Sequence, residues 1–193
     1  MPEDKYTCFK DLAAAEERGE DFDFESRARD KCNVVVIAPH GGTIEPWTDK
    51  IADAIAGEDF SFYCFKALKK NSRLHIKSHL FDEPTCEKLV AAHGHVVSIH
   101  GWRVEGERVC LGGLDGNLIA ALKRGLAEKG IQVDDAQGSL KGIDPKNITN
   151  RGLTGRGVQF ELSMGFRKNG AAVKKFAMAV RAVLFEAQTA AKG

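Results

Sequence analysis

Val34-Val35-Val36-Ile37-Ala38-Pro39-His40-Gly41-Gly42-Thr43-Ile44-Glu45-Pro46 is the stretch whose reading decides the fold. A short, nearly continuous apolar run of this kind reads as a strand buried on both faces. It ends on a histidine. A second run, Val96-Val97-Ser98-Ile99, ends on His100-Gly101-Trp102, and a third, Gly157-Val158-Gln159-Phe160, ends on Glu161. Polar groups at the carboxyl ends of parallel strands converge on the crevice where α/β proteins bind ligands. Two histidines and a glutamate form a zinc site with one position left for water. A further glutamate beside such a site is the usual general base of a metallohydrolase.

Outward from Glu45, Pro46 suits a helix start, and Trp47, Ile51, Ala54 and Ile55 follow at helical spacing. Residues 60–68 and 74–78 read as strands, 84–92 as a short helix and 95–100 as a strand. Residues 107–111 read as a further strand. Asp115 is placed to cap a helix reaching Lys129, with Leu118, Ile119, Leu122 and Leu126 on one face. Residues 131–135 make a short strand, 144–154 a polar loop, 158–162 a strand and 171–190 the last helix. This alternation predicts an α/β fold, a single-domain open mixed sheet, largely parallel, with helices on both faces. Residues 1–32 are polar, with a helical patch at 10–18, and are expected to be an N-terminal arm packed on a domain of residues 33–193.

Composition narrows the function. The chain has 193 residues, 43% hydrophobic and 28% charged, enough for one substantial core. The formal net charge of +1 selects neither nucleic acid nor membrane, and no basic stripe interleaved with aromatics is present. Local basic groups, Lys66, Lys69, Lys70, Arg73 and Lys77, and Lys141, Lys146, Arg151 and Arg156, are either solvated faces or patches for an anionic substrate. Cys8, Cys32, Cys64, Cys86 and Cys110 are odd in number and widely spaced, which predicts free thiols in a reducing compartment. The polar start, Met1-Pro2-Glu3-Asp4-Lys5, lacks the apolar stretch of a signal peptide, and no apolar run is long enough to span a membrane. Synthesis in the cytoplasm is the expectation. The oligomeric state is left open, and a monomer suits the pattern.

The ligands can be argued by position. Gly41 and Gly42 allow a tight turn that returns Glu45 to His40, and His100 sits at the matching end of another strand. Among the six histidines, His93 and His95 lie at the opposite end of the strand that carries His100.

Four motifs in this order, His40 to Pro46, Ser98-Ile99-His100-Gly101, Asn147-Ile148-Thr149-Asn150-Arg151-Gly152 and Gly157 to Ser163, resemble the phage-type poly-γ-glutamate hydrolases over about residues 33–170. That family is similar to zinc carboxypeptidases in fold and metal site. The resemblance implies Zn2+ held by His40, Glu45 and His100, with Glu161 as general base, and cleavage of γ-glutamyl amide bonds in an anionic polypeptide. It implies phage or bacterial origin, and release by lysis if the chain is phage-derived. The spacing His-x-x-x-x-Glu differs from the His-x-x-Glu of carboxypeptidases and matches the poly-γ-glutamate group. Arg151 is the expected cation for the oxyanion or for a substrate carboxylate, because its fork binds both carboxylate oxygens. Asn150 and Arg156 are the expected further substrate contacts.

Rival readings are a zinc amidohydrolase or peptidase for another glutamyl or acyl-amino-acid substrate, and a non-catalytic capsule-binding protein. A serine hydrolase is disfavoured. Glu161-Leu162-Ser163-Met164-Gly165 lacks the first glycine of Gly-x-Ser-x-Gly, and no histidine follows Ser163.

Overall fold

The computed structural model describes residues 4–69 and 72–190. In chain order the elements are α1 (Phe9–Ala15), β1 (Phe22–Arg27), β2 (Val34–Gly42), α2 (Thr48–Ala56), β3 (Ser61–Ala67), α3 (Pro84–Ala91), β4 (His95–Trp102), β5 (Val109–Gly113), α4 (Gly116–Glu128), β6 (Asp134–Asp135), β7 (Val158–Ser163), α5 (Met164–Lys168) and α6 (Gly170–Ala190). Among the described residues the strands form one sheet in the order β1-β3-β2-β4-β7-β5-β6. Its centre, β3-β2-β4-β7, is parallel. β1 joins β3 and β5 joins β7 in antiparallel fashion. The sheet is therefore mixed and largely parallel, as the strand and helix alternation predicts.

Alternation along each strand divides the core in two. Val34, Val36 and Ala38 of β2 pack with Phe62 and Cys64 of β3 against the apolar faces of α2, α4 and α6. Val35 and Ile37 face the other way with Tyr63 and Phe65, onto Leu12 of α1 and Cys86, Leu89 and Val90 of α3. Covering both faces is what allows the central strands to be apolar throughout. Asp115 caps α4 as expected, its side chain accepting from the Leu118 amide at 3.0 Å. All five cysteines are free.

Three expectations change. Residues 22–27 do more than pack on the domain, since they enter the sheet as an edge strand in register with β3. Residues 74–78 are not a strand. Leu74 and Ile76 are buried, but the backbone there follows a 3-10 turn, Ser72–Leu74, and runs irregularly over the carboxyl end of the sheet. Residues 131–135 contribute only the two-residue β6. Lys70 of the first basic group lies outside the described residues. Lys66 and Lys69 of that group pair with acidic neighbours, Glu25 and Asp21.

Candidate active site

The carboxyl end of β2 is shaped by two glycines. The pairing of β2 with β3 shifts register between Ala38 and Gly41. A Cβ on Gly41 would stand 2.8 Å from the Phe65 carbonyl oxygen. Gly42 has φ of +65°, and a Cβ there would stand 2.2 Å from the Ala67 carbonyl oxygen. Only glycine allows so close an approach with that backbone. The turn then closes with the Glu45 amide donating to the His40 carbonyl at 2.9 Å, which returns the Glu45 side chain to His40. Trp47, which follows, takes a left-handed conformation with φ of 73° before α2 begins.

His40, Glu45 and His100 converge, with His40 and His100 buried and Glu45 half-buried. The two Nδ1 atoms are 3.1 Å apart. His40 Nδ1 lies 3.3 Å from Glu45 Oε1, and His100 Nδ1 lies 3.6 Å from Glu45 Oε2. The edge of a tetrahedron of donors around zinc is about 3.3 Å, given bond lengths of about 2.0–2.1 Å. These residues therefore fit a metal ion. His40 Nε2 donates to the Ile76 carbonyl at 2.8 Å, which leaves the Nδ1 lone pair free to ligate. The Gly101 amide donates to Glu45 Oε2 at 2.8 Å and fixes the carboxylate. Burial works to raise the Glu45 carboxyl, but the two imidazoles, His40 foremost, outweigh it and hold the group well below the usual range. Burial pulls the His100 imidazole down, and the carboxylates of Glu45 and Glu161 reverse this and leave it raised.

Glu161 lies directly across from His100 in the parallel pairing of β4 and β7. Adjacent strands are about 4.8 Å apart. The Glu161 side chain is buried, and burial, aided by the Glu45 charge, pushes its carboxyl up to about 7 against the pull of His100, Gln159 and Arg167. A carboxyl near neutrality suits proton transfer in both directions. Gln159 Nε2 donates to Glu161 Oε1 at 2.7 Å, and Asn147 Nδ2 donates to Gln159 Oε1 at 2.9 Å. The first asparagine of the Asn-Ile-Thr-Asn-Arg motif thus orients the amide that orients Glu161.

The other expected site residues are engaged with partners of their own. Asn150 is buried and satisfied within its own loop, with Nδ2 donating to the carbonyls of Gly142 and Asp144 and Oδ1 accepting from the Gly157 amide. Arg151 spends its fork on Glu87 of α3 at 2.6 Å and on the carbonyls of Lys146 and His79. It is a strut between the loop and α3. Arg156 is exposed and acts on Asp115, which pairs with His95. That is the amino end of β4, five residues or about 17 Å of strand from His100. His93 is tied there too, bonding Ser61 and the Leu89 carbonyl.

Two residues join the site without local warning in the sequence. The His75 ring lies 4.1 Å from the His40 ring and bonds Asp4 at 2.9 Å. Burial, with the neighbouring His40, lowers its imidazole to about 4. Arg167 is buried at 5% exposure, and its charge faces Glu45 and Glu161. The six-residue step from Glu161 around the turn into α5 is the one sequence cue that could have pointed to it.

This geometry can be set beside known proteins. UPF0714 protein YmaC of Bacillus subtilis (strain 168) is 33% identical over 164 residues, 83% of this chain and 69% of that protein. UPF0714 protein YndL of the same organism is 38% identical over 143 residues, 70% of this chain and 55% of that protein. The chain thus spans a little over half to about two thirds of these curated relatives. A solved bacteriophage poly-γ-glutamate hydrolase aligns with a TM-score of 0.90 at 28% identity, over 99% of this chain and 100% of that one. A zinc-free YndL structure aligns with a TM-score of 0.87 at 30% identity, over 96% of this chain and 99% of that one. The N-formylglutamate amidohydrolase of Ralstonia eutropha JMP134, at 12% identity and a TM-score of 0.56, shares the fold alone. The family model for poly-gamma-glutamate hydrolase matches residues 6–184, so the likeness takes in α1 and β1 as well as the four motifs. With nearly its whole length matched, the chain belongs to the poly-γ-glutamate hydrolase family.

Proposed function

We propose that this protein is a zinc-dependent hydrolase of the γ-glutamyl amide bonds of poly-γ-glutamate. The observation that carries the reading is the pairing of a three-donor cluster at tetrahedral spacing with a buried carboxyl, Glu161, lying across from one of its ligands. The zinc-free form in which the relative YndL was solved supports zinc as the metal. The family description supports the substrate.

His40, Glu45 and His100 would hold the ion, which when bound supplies a Lewis acid and a water acidified toward neutral pH. Glu161 takes the proton from the attacking water. It then delivers that proton to the α-nitrogen of the departing glutamate, which leaves as a neutral amine. Gln159 and Asn147 keep the accepting oxygen aimed throughout. His40 is held in one tautomer by the Ile76 carbonyl. Asn150, Arg151 and Arg156 are left as framework and surface residues in this reading, for the geometric reasons above.

The test is the chain length of poly-γ-glutamate after incubation with the purified protein, with and without a chelator and with zinc added back. Shortening that a chelator abolishes and zinc restores supports the reading. A folded, zinc-loaded protein that leaves the polymer intact overturns the substrate, and a protein that binds no zinc overturns the site.

A further inference from the structure

Arg167 touches the residue that follows each of three functional groups. Its Nε donates to the carbonyl of Leu162, which follows Glu161, at 3.0 Å. Its Nη1 donates to the carbonyl of Pro46, which follows Glu45, at 2.5 Å. Its guanidinium lies flat against Gly101, which follows His100, so that a Cβ on Gly101 would stand 2.8 Å from Cζ and from both terminal nitrogens. Gly101 in turn donates to Glu45. One buried side chain therefore joins the turn after β2 to the ends of β4 and β7.

A buried guanidinium is costly to desolvate, and a methionine would fill similar volume without that cost. The cost is met here by two carbonyls whose directions the planar fork matches, and by the charges of Glu45 and Glu161. Salt-bridge balance alone would be served by any cation. The fork is what fixes the turn after β2 against the end of β7.

We propose that Arg167 is the positioning residue of the metal centre, holding Glu45, His100 and Glu161 in the geometry that binds the ion before the ion arrives. This rests on the zinc hydrolase reading above. Two explanations of the same residue make opposite forecasts. A positive charge near a cation site opposes metal binding, so a mere counter-charge would, on removal, leave zinc affinity equal or tighter. A positioning residue would, on removal, leave it weaker, by the 10- to 100-fold typical of lost outer-shell support.

Zinc affinity is measured by competition with a chromophoric chelator for the wild type, Arg167→Met and Arg167→Lys, with thermal unfolding of the metal-free proteins alongside. The expected result is a loss of about 10- to 100-fold in both variants. Lysine keeps the charge and loses the fork. Wild-type affinity in Arg167→Lys, or equal or tighter binding by Arg167→Met, overturns the proposal. Gly101→Ala provides a second route that leaves the arginine in place, because its new methyl group displaces the guanidinium. It should weaken zinc binding similarly, and in the Arg167→Met background it should add little, since the clash is gone. Should Arg167→Met fail to fold, Arg167→Lys and Gly101→Ala decide the matter. A wild type that binds no zinc removes the hydrolase reading itself. A wild type that binds zinc and cleaves polymer, with variants that bind as tightly, removes only the role of Arg167.

Discussion

Replacing Glu161 with glutamine should make the protein a worse catalyst and, above neutral pH, a more stable one. The carboxyl sits at about 7 in the folded chain against an ordinary 4.5, chiefly because burial disfavours its charge. Between those values the folded state binds a proton that the unfolded state has released, so wild-type stability falls as pH rises. The difference amounts to about 3 kcal/mol once both states are ionised. Glutamine carries no such penalty. It does place an amide against the Gln159 amide, which costs about 1 kcal/mol for the disturbed hydrogen bond. The metal-free variant should therefore be slightly less stable than wild type at pH 4.5 and more stable by about 2 kcal/mol at pH 8. His100 is raised in part by the Glu161 charge, so its own pH dependence weakens in the variant and acts in the same window. Loss of a general base costs about 10²- to 10⁴-fold in rate. The assay pairs denaturant unfolding of metal-free protein at several pH values with polymer cleavage by the zinc-loaded protein. A stability difference that does not change between pH 4.5 and 8 would refute the raised carboxyl. Cleavage within a few-fold of wild type would refute the base.

Asn147→Ala should loosen Gln159 and with it Glu161, lowering kcat by about tenfold while zinc affinity, read by chelator competition, stays within a few-fold. Gly42→Ala should destabilise the fold by more than about 1 kcal/mol and weaken zinc binding, because the left-handed turn between His40 and Glu45 has no room for a methyl group. Unfolding curves and metal titration check both effects, and a neutral variant would contradict the close approach to Ala67. Arg151→Met should cost stability, on the order of 1–3 kcal/mol for a charged strut with three partners, and leave kcat unchanged. A large fall in kcat with the fold intact would return Arg151 to the chemistry.

The convergence of His40, Glu45 and His100 was legible in the sequence because these residues obey local rules. His40 and His100 end apolar strands, and a two-glycine turn brings Glu45 back to His40. The place of Glu161 at a strand end was legible for the same reason, and it lies across from His100. Arg167, His75 and Gln159 were not legible, since their roles depend on which strand ends lie side by side, a fact of topology. The Asn147 to Gly152 motif carries the family resemblance, and the hydrogen bonds of its residues could not be read from the sequence. Its asparagines face inward to Gln159 and the loop backbone, and its arginine reaches α3. An arginine in a polar loop looks available in sequence, and hydrogen-bond geometry is what consumes it. β1 escaped notice because an edge strand with a polar outer face differs little from a polar arm.

The order of strands carries one more consequence. His40, His100 and Glu161 come from β2, β4 and β7, which are neighbours in the sheet but far apart along the chain. These three side chains meet only when both parallel crossovers are complete, and such long-range pairings close late and slowly in folding. A metal ion held there would therefore do little to guide the chain toward its native state. It would bind what is already built, so its expected kinetic signature is a slower unfolding rate with the folding rate nearly unchanged.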